Sequence, residues 1–94
     1  MLKWSVLVTV ILIHAAISYA VLAATGENEL IADPWIYFYY YTTTATTVGY
    51  GDRVPVSGAG RIISGIWMFI GLVIASSLTA FLATALTLSQ MDGP

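Results

Sequence analysis

The chain has 94 residues, of which 59% are hydrophobic and only 9% are charged, and its mean hydropathy is +0.86. Because globular proteins carry about 25% charged residues, this composition is typical of a membrane protein. The net charge is −2 with three basic residues in total, which excludes a nucleic-acid-binding patch, and zero cysteines exclude a disulfide framework or a thiolate metal site.

Residues 2–24 form an apolar run that is interrupted by Lys3, His14 and a few hydroxyl side chains. About 20 apolar residues suffice for a helix to cross the hydrocarbon core, so we predict a membrane-spanning outer helix over about 2–24. A cleaved signal peptide is the alternative, since Lys3 precedes the run and Ala23-Ala24 could end a cleavage site. We favour the helix because the run is longer than the roughly 7–15 residues of a signal core.

His14 lies near the middle of this segment and is the only histidine. An ionisable group at that depth is a candidate functional site. No partner for metal binding or acid–base chemistry stands at helical spacing from it, so we favour a neutral histidine that satisfies its hydrogen bonds at a helix–helix contact. A pH-sensing role has no support in the sequence.

A second, shorter helix is predicted after the loop at residues 25–33. Thr25-Gly26 is typical of a helix end, and Asp33-Pro34 of a helix start. The helix over about 34–46 is roughly 20 Å long, so we expect it to enter the bilayer without crossing. We expect its aromatic side chains to brace the loop that follows, with interfacial anchoring as the alternative for Trp35 and Tyr37; they are Trp35, Tyr37, Phe38, Tyr39, Tyr40 and Tyr41.

The loop after this helix reads Thr-Thr-Val-Gly-Tyr-Gly-Asp at 46–52. For successive carbonyls to face the same way, residues must alternate between right-handed and left-handed backbone, and only glycine enters the left-handed region cheaply. Gly49 and Gly51 supply that alternation, and the Thr47 hydroxyl adds a further oxygen. Residues 47–51 therefore predict a stack of oxygen ligands for a cation. Because the motif occurs once, a closed ring requires several identical chains.

Four of the five acidic residues lie between the apolar segments: Glu27, Glu29, Asp33 and Asp52. We expect them to form a negative rim that concentrates cations, with a merely solvated loop as the alternative for each.

After a loop at 52–60, a second span is predicted over about 61–89, long enough to cross with tilt or to project beyond the bilayer. Gly71, Ala75, Thr79 and Ala83 recur at every fourth position and form a stripe of small side chains. This stripe either lines a water-filled pore or permits close helix packing. The polar end at 89–94 is compatible with a minimal two-span protein and with a piece of a larger one.

The sequence Thr-Val-Gly-Tyr-Gly-Asp at 47–52, preceded by a helix and flanked by two spans, closely resembles the pore of potassium channels of the bacterial, two-transmembrane-helix type. The resemblance covers nearly the whole chain. It implies an all-α membrane protein that forms a homotetramer around a central pore, with a re-entrant pore helix and a filter loop. The K⁺ ligands would be the Thr47 hydroxyl and the carbonyls of Thr47, Val48, Gly49 and Tyr50. It also implies a plasma or inner membrane location with both termini cytoplasmic, and no cofactor.

The resemblance assigns further roles by position. Gly71 matches the hinge glycine of the family, Ala75 and Thr79 would face the cavity, and Gly51 and Asp52 would support the filter. Tyr39-Tyr40 stand where the family often has two tryptophans, so a phenol would have to bond Asp52. Thr43 stands where some bacterial relatives carry an acid, so we expect filter inactivation to differ. The stimulus that opens the gate is not predicted, and the chain is compatible with a regulatory domain or subunit outside it.

Three alternatives remain. A non-selective cation channel shares the fold but has a relaxed filter. A membrane scaffold or assembly subunit leaves the alternating glycines unexplained. An intramembrane enzyme would use His14 with Asp52, but no serine or cysteine nucleophile motif accompanies them. We therefore expect passive K⁺ conduction and no enzymatic reaction.

Overall fold

The computed structural model describes residues 3–91 of the chain. These residues form four helices and no strand: α1 is Trp4–Ala24, α2 is Asn28–Ile31, α3 is Pro34–Ala45 and α4 is Gly58–Met91. The predicted all-α class is confirmed. Leu2 of the predicted outer helix and residues 92–94 of the polar end lie outside the described residues.

Two of the helices, α1 with 21 residues and α4 with 34 residues, are long and apolar enough to cross a membrane. They run antiparallel. Trp4 at the start of α1 packs edge-on against Phe81 of α4 with ring centroids 4.4 Å apart, and at the other end the Ser57 hydroxyl donates to the Thr25 carbonyl at 3.3 Å. The start of α1 and the end of α4 therefore lie on the same side.

The end of α1 is closed by a glycine in the left-handed region. Gly26 has φ +76°, its amide donates to the Ala23 carbonyl at 3.3 Å, and the Glu27 amide donates to the Leu22 carbonyl at 2.9 Å. This pair of bonds is a Schellman motif, which satisfies carbonyls that the helix leaves free. It also turns Glu27 back toward α4.

Residues 25–33, predicted as an exposed loop, contain the one-turn helix α2. The reason is burial of Leu30, which is only 2% exposed and packs with Leu22 and Tyr40. Partly buried Ile31 and Tyr37 complete this small core.

The starts of α3 and α4 are both capped. The Asp33 carboxylate accepts a hydrogen bond from the Trp35 amide at 2.8 Å, with Pro34 as the first helical residue. α4 begins at Gly58, earlier than the predicted 61, because the Ser57 hydroxyl oxygen accepts from the Gly60 amide at 2.9 Å and acts as an N-cap. α4 continues to Met91, beyond the predicted 89, and α3 ends at Ala45.

Most apolar side chains of α1 and α4 are exposed on the single chain. A helix hydrophobic on all sides is stable only when lipid or other protein covers it. This exposed apolar surface, on two helices long enough to cross a membrane, is that of a membrane protein.

Candidate functional site

The loop after α3 has an alternating backbone. Gly49 has φ +53° and Gly51 has φ +80°, whereas neither Val48 nor Tyr50 is in the left-handed region. Thr47 is also left-handed, with φ +68°. Such a conformation costs a non-glycine residue about 1–2 kcal/mol and is rare for β-branched side chains. The left-handed positions therefore begin at Thr47, two residues before the first left-handed position that the glycines predict.

Hydrogen bonds fasten this loop to the end of α3. The Gly49 amide donates to the Thr43 carbonyl at 2.8 Å, and the Thr47 amide donates to the Thr44 carbonyl at 3.2 Å. The Thr46 hydroxyl donates to the Thr42 carbonyl at 2.6 Å. The last carbonyls of a helix have no partners within the helix. In α3 these carbonyls accept hydrogen bonds from the loop and hold it in place.

Tyr39 supports the outer end of the loop. Its hydroxyl donates to the Asp52 carboxylate at 2.9 Å, and its ring is stacked on Tyr50, with centroids 6.4 Å apart and planes 11° apart. Tyr40 points elsewhere: it is 3% exposed and belongs to the core between α1, α2 and α3. Of the two tyrosines that could bond Asp52, only Tyr39 does so.

Thr43 makes a local hydrogen bond, from its hydroxyl to the Tyr40 carbonyl at 3.1 Å. It shares an open groove with Thr47, Gly49 and Gly51. The Thr43 side chain therefore borders the same groove as the loop backbone.

The C-terminal end of α3 opens on a groove along α4. Thr46 and Thr47 line it together with Ala75, Thr79 and Ala83. None of these side chains is charged. The C-terminal end of α3, which a helix dipole gives a partial negative charge of about half an elementary charge, lies beside this groove.

Gly71 does not line this groove. It is buried against α1, where a Cβ at its position would lie 3.1 Å from Cε1 of His14. Because a helical turn has 3.6 residues, side chains four positions apart point in directions that differ by about 40° around the axis of α4. Gly71 therefore faces α1, while Ala75, Thr79 and Ala83 face the groove.

The prediction that Glu27 belongs to an exposed acidic rim is wrong. Its side chain is only 3% exposed, and its carboxylate accepts from the Val56 amide at 3.0 Å and from the Ser57 amide at 2.7 Å. Hydrogen bonding to Ser57, then the Val56 amide and the charge of Arg61, lower the pKa of this carboxyl. Glu29, Asp33 and Asp52 remain exposed.

A family model described as "ion channel" matches residues 6–88. The chain belongs to the ion channel family. The resemblance to potassium-channel pores drawn from residues 47–52 is thereby confirmed, and the enzyme alternative fails. His14 and Asp52 are also bonded to different partners, Tyr41 and Tyr39.

Individual relatives of this ion channel match over a shorter stretch. Over 43 residues it is 46% identical to the calcium-gated potassium channel TvoK of Thermoplasma volcanium. Over 43 residues it is also 49% identical to glutamate receptor 3 of Rattus norvegicus and of Homo sapiens. Each match covers 46% of this chain, but only 12% of TvoK and 5% of the receptors. No solved structure matches.

The sequence predicted that His14 satisfies its hydrogen bonds at a helix–helix contact, which the structure shows, but it predicted neither the partners of His14 nor the contact between Glu27 and Ser57. Glu27 and Ser57 join the end of α1 to the start of α4, and of these only Ser57, three residues before Gly60, carries a local capping signal. His14 bonds Tyr41, which is 27 residues away in sequence, and Trp67, which is 53 residues away. No short-range pattern identifies such contacts.

Proposed function

We propose that this ion channel is a K⁺-selective pore in which each chain supplies one quarter of the filter. The observation that carries the proposal is the left-handed backbone at positions 47, 49 and 51 within the sequence Thr-Val-Gly-Tyr-Gly. Alternation of this kind allows the carbonyls of Thr47, Val48, Gly49 and Tyr50 to be directed to one side. With the Thr47 hydroxyl, they would replace the water shell of K⁺.

Four identical chains would close the ring. One chain provides ligands on one side only, and closed rotational symmetry is the usual way in which identical membrane subunits enclose an axis. The exposed apolar faces of α1 and α4 would then divide between lipid and neighbouring subunits. Gly51, Asp52 and Tyr39 would support the filter from the outside of each subunit, with Thr43 behind it and Tyr40 holding α3 to α1.

Below the filter, the groove lined by Ala75, Thr79 and Ala83 would become the wall of a water-filled cavity. The end of α3 in each subunit directs its partial negative charge there, so four copies would stabilise a cation without a charged side chain. In residues 3–91, no group of three or more His, Asp or Glu side chains is placed to hold a metal ion. In this proposal, backbone carbonyl and hydroxyl oxygens coordinate the ion along the pore.

In this proposal, α1 is the outer helix of the pore domain, α3 is the re-entrant pore helix, residues 47–51 are the filter and α4 is the inner helix. Because α1 and α4 are antiparallel, the start of α1 and the end of α4 would lie on the same side of the membrane, and we propose that this side is the cytoplasm of a plasma or inner membrane. The name of TvoK supports K⁺ as the ion. A regulatory domain or subunit outside this chain is one candidate source of the stimulus that opens the pore.

The test is cation flux in liposomes that contain the purified channel. We expect K⁺ efflux down its gradient, block by Ba²⁺, and no comparable Na⁺ flux. Native mass spectrometry of the same preparation is expected to give a mass of four chains. Equal K⁺ and Na⁺ flux would instead indicate the non-selective cation channel, in which the same fold carries a relaxed filter, and an absence of flux from an open tetramer would contradict conduction itself.

A further inference from the structure

A small cavity lies where α1, α3 and α4 meet, and we call it the interhelical cavity. Its volume is about 20 Å³. Hydroxyl side chains from all three helices border it: Ser18 of α1, Tyr40, Tyr41 and Thr44 of α3, and Ser64 of α4. It is separate from the groove that Ala75, Thr79 and Ala83 line.

Helical spacing brings these groups to one place. Tyr40 and Thr44 are four residues apart in α3, so they lie on one face of that helix. Ser64 and Gly71 are seven residues apart in α4, which is about two turns, and both are buried on the face toward the cavity. Because Gly71 has no side chain and Ser64 has a small one, this face of α4 leaves space beside α3.

The polar atoms of His14, which also borders the cavity, already have protein partners. Its Nδ1 lies 2.9 Å from the Tyr41 hydroxyl, and its Nε2 lies 3.1 Å from the Trp67 carbonyl. A hydroxyl has one donor and two acceptor sites, so it can bind an occupant of the cavity even when it also bonds a protein group. The hydroxyl groups that can serve an occupant in this way are those of Ser18, Tyr40, Thr44 and Ser64.

The size and the lining of the cavity fit a water molecule. A bound water needs about 10–15 Å³ of such volume and two to four polar partners. Tyr40 and Ser64 are only 3% and 6% exposed, and a buried hydroxyl is costly unless its hydrogen bonds are made. The lining contains no Asp, Glu, Lys or Arg, and a buried ion without a counter-charge is unfavourable. A neutral occupant is therefore favoured over an ion.

We propose that the interhelical cavity binds one water molecule, which bridges the Tyr40 and Thr44 hydroxyls of α3 to the Ser64 hydroxyl of α4. Ser18 of α1 offers a further hydroxyl. The Thr44 carbonyl accepts from the Thr47 amide at 3.2 Å, so the water joins both spans to a residue that anchors the filter loop. All of its partners belong to one chain, and the inference is independent of the permeant ion and of the number of chains.

The first test is an experimental density map of the wild-type channel at a resolution that shows ordered water. We expect one solvent peak in the cavity, within about 2.5–3.0 Å of at least two of the bordering hydroxyl oxygens. A cavity without a solvent peak, a cavity closed by direct bonds between the hydroxyls, or a bound cation in the place of water overturns the proposal.

The second test uses His14 as a probe, because it is the only histidine and borders the cavity. In solid-state NMR of the reconstituted channel with labelled histidine, we expect magnetisation from water protons to reach the imidazole, although the side chain is only 5% exposed. Ser64→Val removes one hydroxyl and fills part of the cavity, so this transfer is expected to fall several-fold.

Ser77→Val is the matched control. Ser77 lies on the same helix, outside the lining of the cavity, and its hydroxyl donates to the Val73 carbonyl at 2.9 Å. This variant is expected to keep the transfer to His14. A wild-type channel without the transfer overturns the proposal. So does Ser64→Val with the wild-type transfer, or a loss of equal size in Ser77→Val.

Discussion

Gly49→Ala tests the backbone chemistry of the proposed filter. Gly49 has φ +53°, a conformation that costs an L-residue about 1–2 kcal/mol. A Cβ at this position would meet nothing closer than the Thr47 carbonyl oxygen at 4.0 Å, so the cost is conformational and not a steric clash. Summed over the four proposed subunits it reaches about 4–8 kcal/mol. Since about 1.4 kcal/mol is tenfold in an equilibrium, we expect the substituted loop to leave the left-handed conformation and its carbonyl to turn away.

The assay is K⁺ flux from liposomes, normalised to the amount of tetramer. We expect Gly49→Ala to lose most of its K⁺ flux. Gly26→Ala is the matched control, because Gly26 has φ +76° with nothing within 4 Å of its Cβ position and lies outside the filter. It carries the same conformational cost and is expected to lower thermal stability while it leaves selectivity unchanged. Wild-type flux and selectivity in Gly49→Ala would refute the reasoning.

Three further predictions concern the supports of the filter and of α4. Tyr39→Phe removes the bond to Asp52, so currents are expected to decay faster during sustained opening; an unchanged decay counts against this support. Gly60→Ala places a Cβ 2.5 Å from Oε1 of Glu27, and such overpacking lowers stability by about 1–3 kcal/mol. Gly58→Ala, with nothing within 4 Å, is its control, and equal melting temperatures would contradict the clash. Because the pKa of Glu27 is lowered from its ordinary 4.5, its contribution to stability is present above about that pH and is lost as pH falls through the folded-state pKa. Glu27→Gln is expected to lack this acid-dependent loss, and a parallel loss in both proteins would refute it.

Local patterns were sufficient to predict α1, α3 and α4 and the left-handed backbone of the two loop glycines, but not the one-turn helix α2 or the backbone of Thr47. Apolar length predicted both spans, and Asp33-Pro34 predicted the start of α3, where the Asp33 carboxylate does accept the Trp35 amide. The glycines predicted left-handed backbone at 49 and 51, which the structure has. Each of these features is set by residues close together in sequence, so no tertiary contact is needed to predict it.

Contacts between distant residues were not predictable in this way. The carboxylate of Glu27 was expected at an exposed rim, but its amide partners at 56 and 57 lie 29 and 30 residues away. The left-handed backbone of Thr47 opposes its own conformational preference and depends on the bonds that tie the loop to α3. Which of Tyr39 and Tyr40 bonds Asp52 depends on the orientation of α3 about its own axis, and that orientation is set by packing between distant residues.

The most direct test of the account is the reversal potential of the reconstituted channel in a planar bilayer with K⁺ on one side and Na⁺ on the other. A pore whose ligands are the carbonyls of 47–50 is expected to give a potential far from zero, in the direction that K⁺ permeation sets, and Ba²⁺ is expected to block the current. A reversal potential near zero, in a channel verified to be open and tetrameric, would contradict K⁺ selectivity.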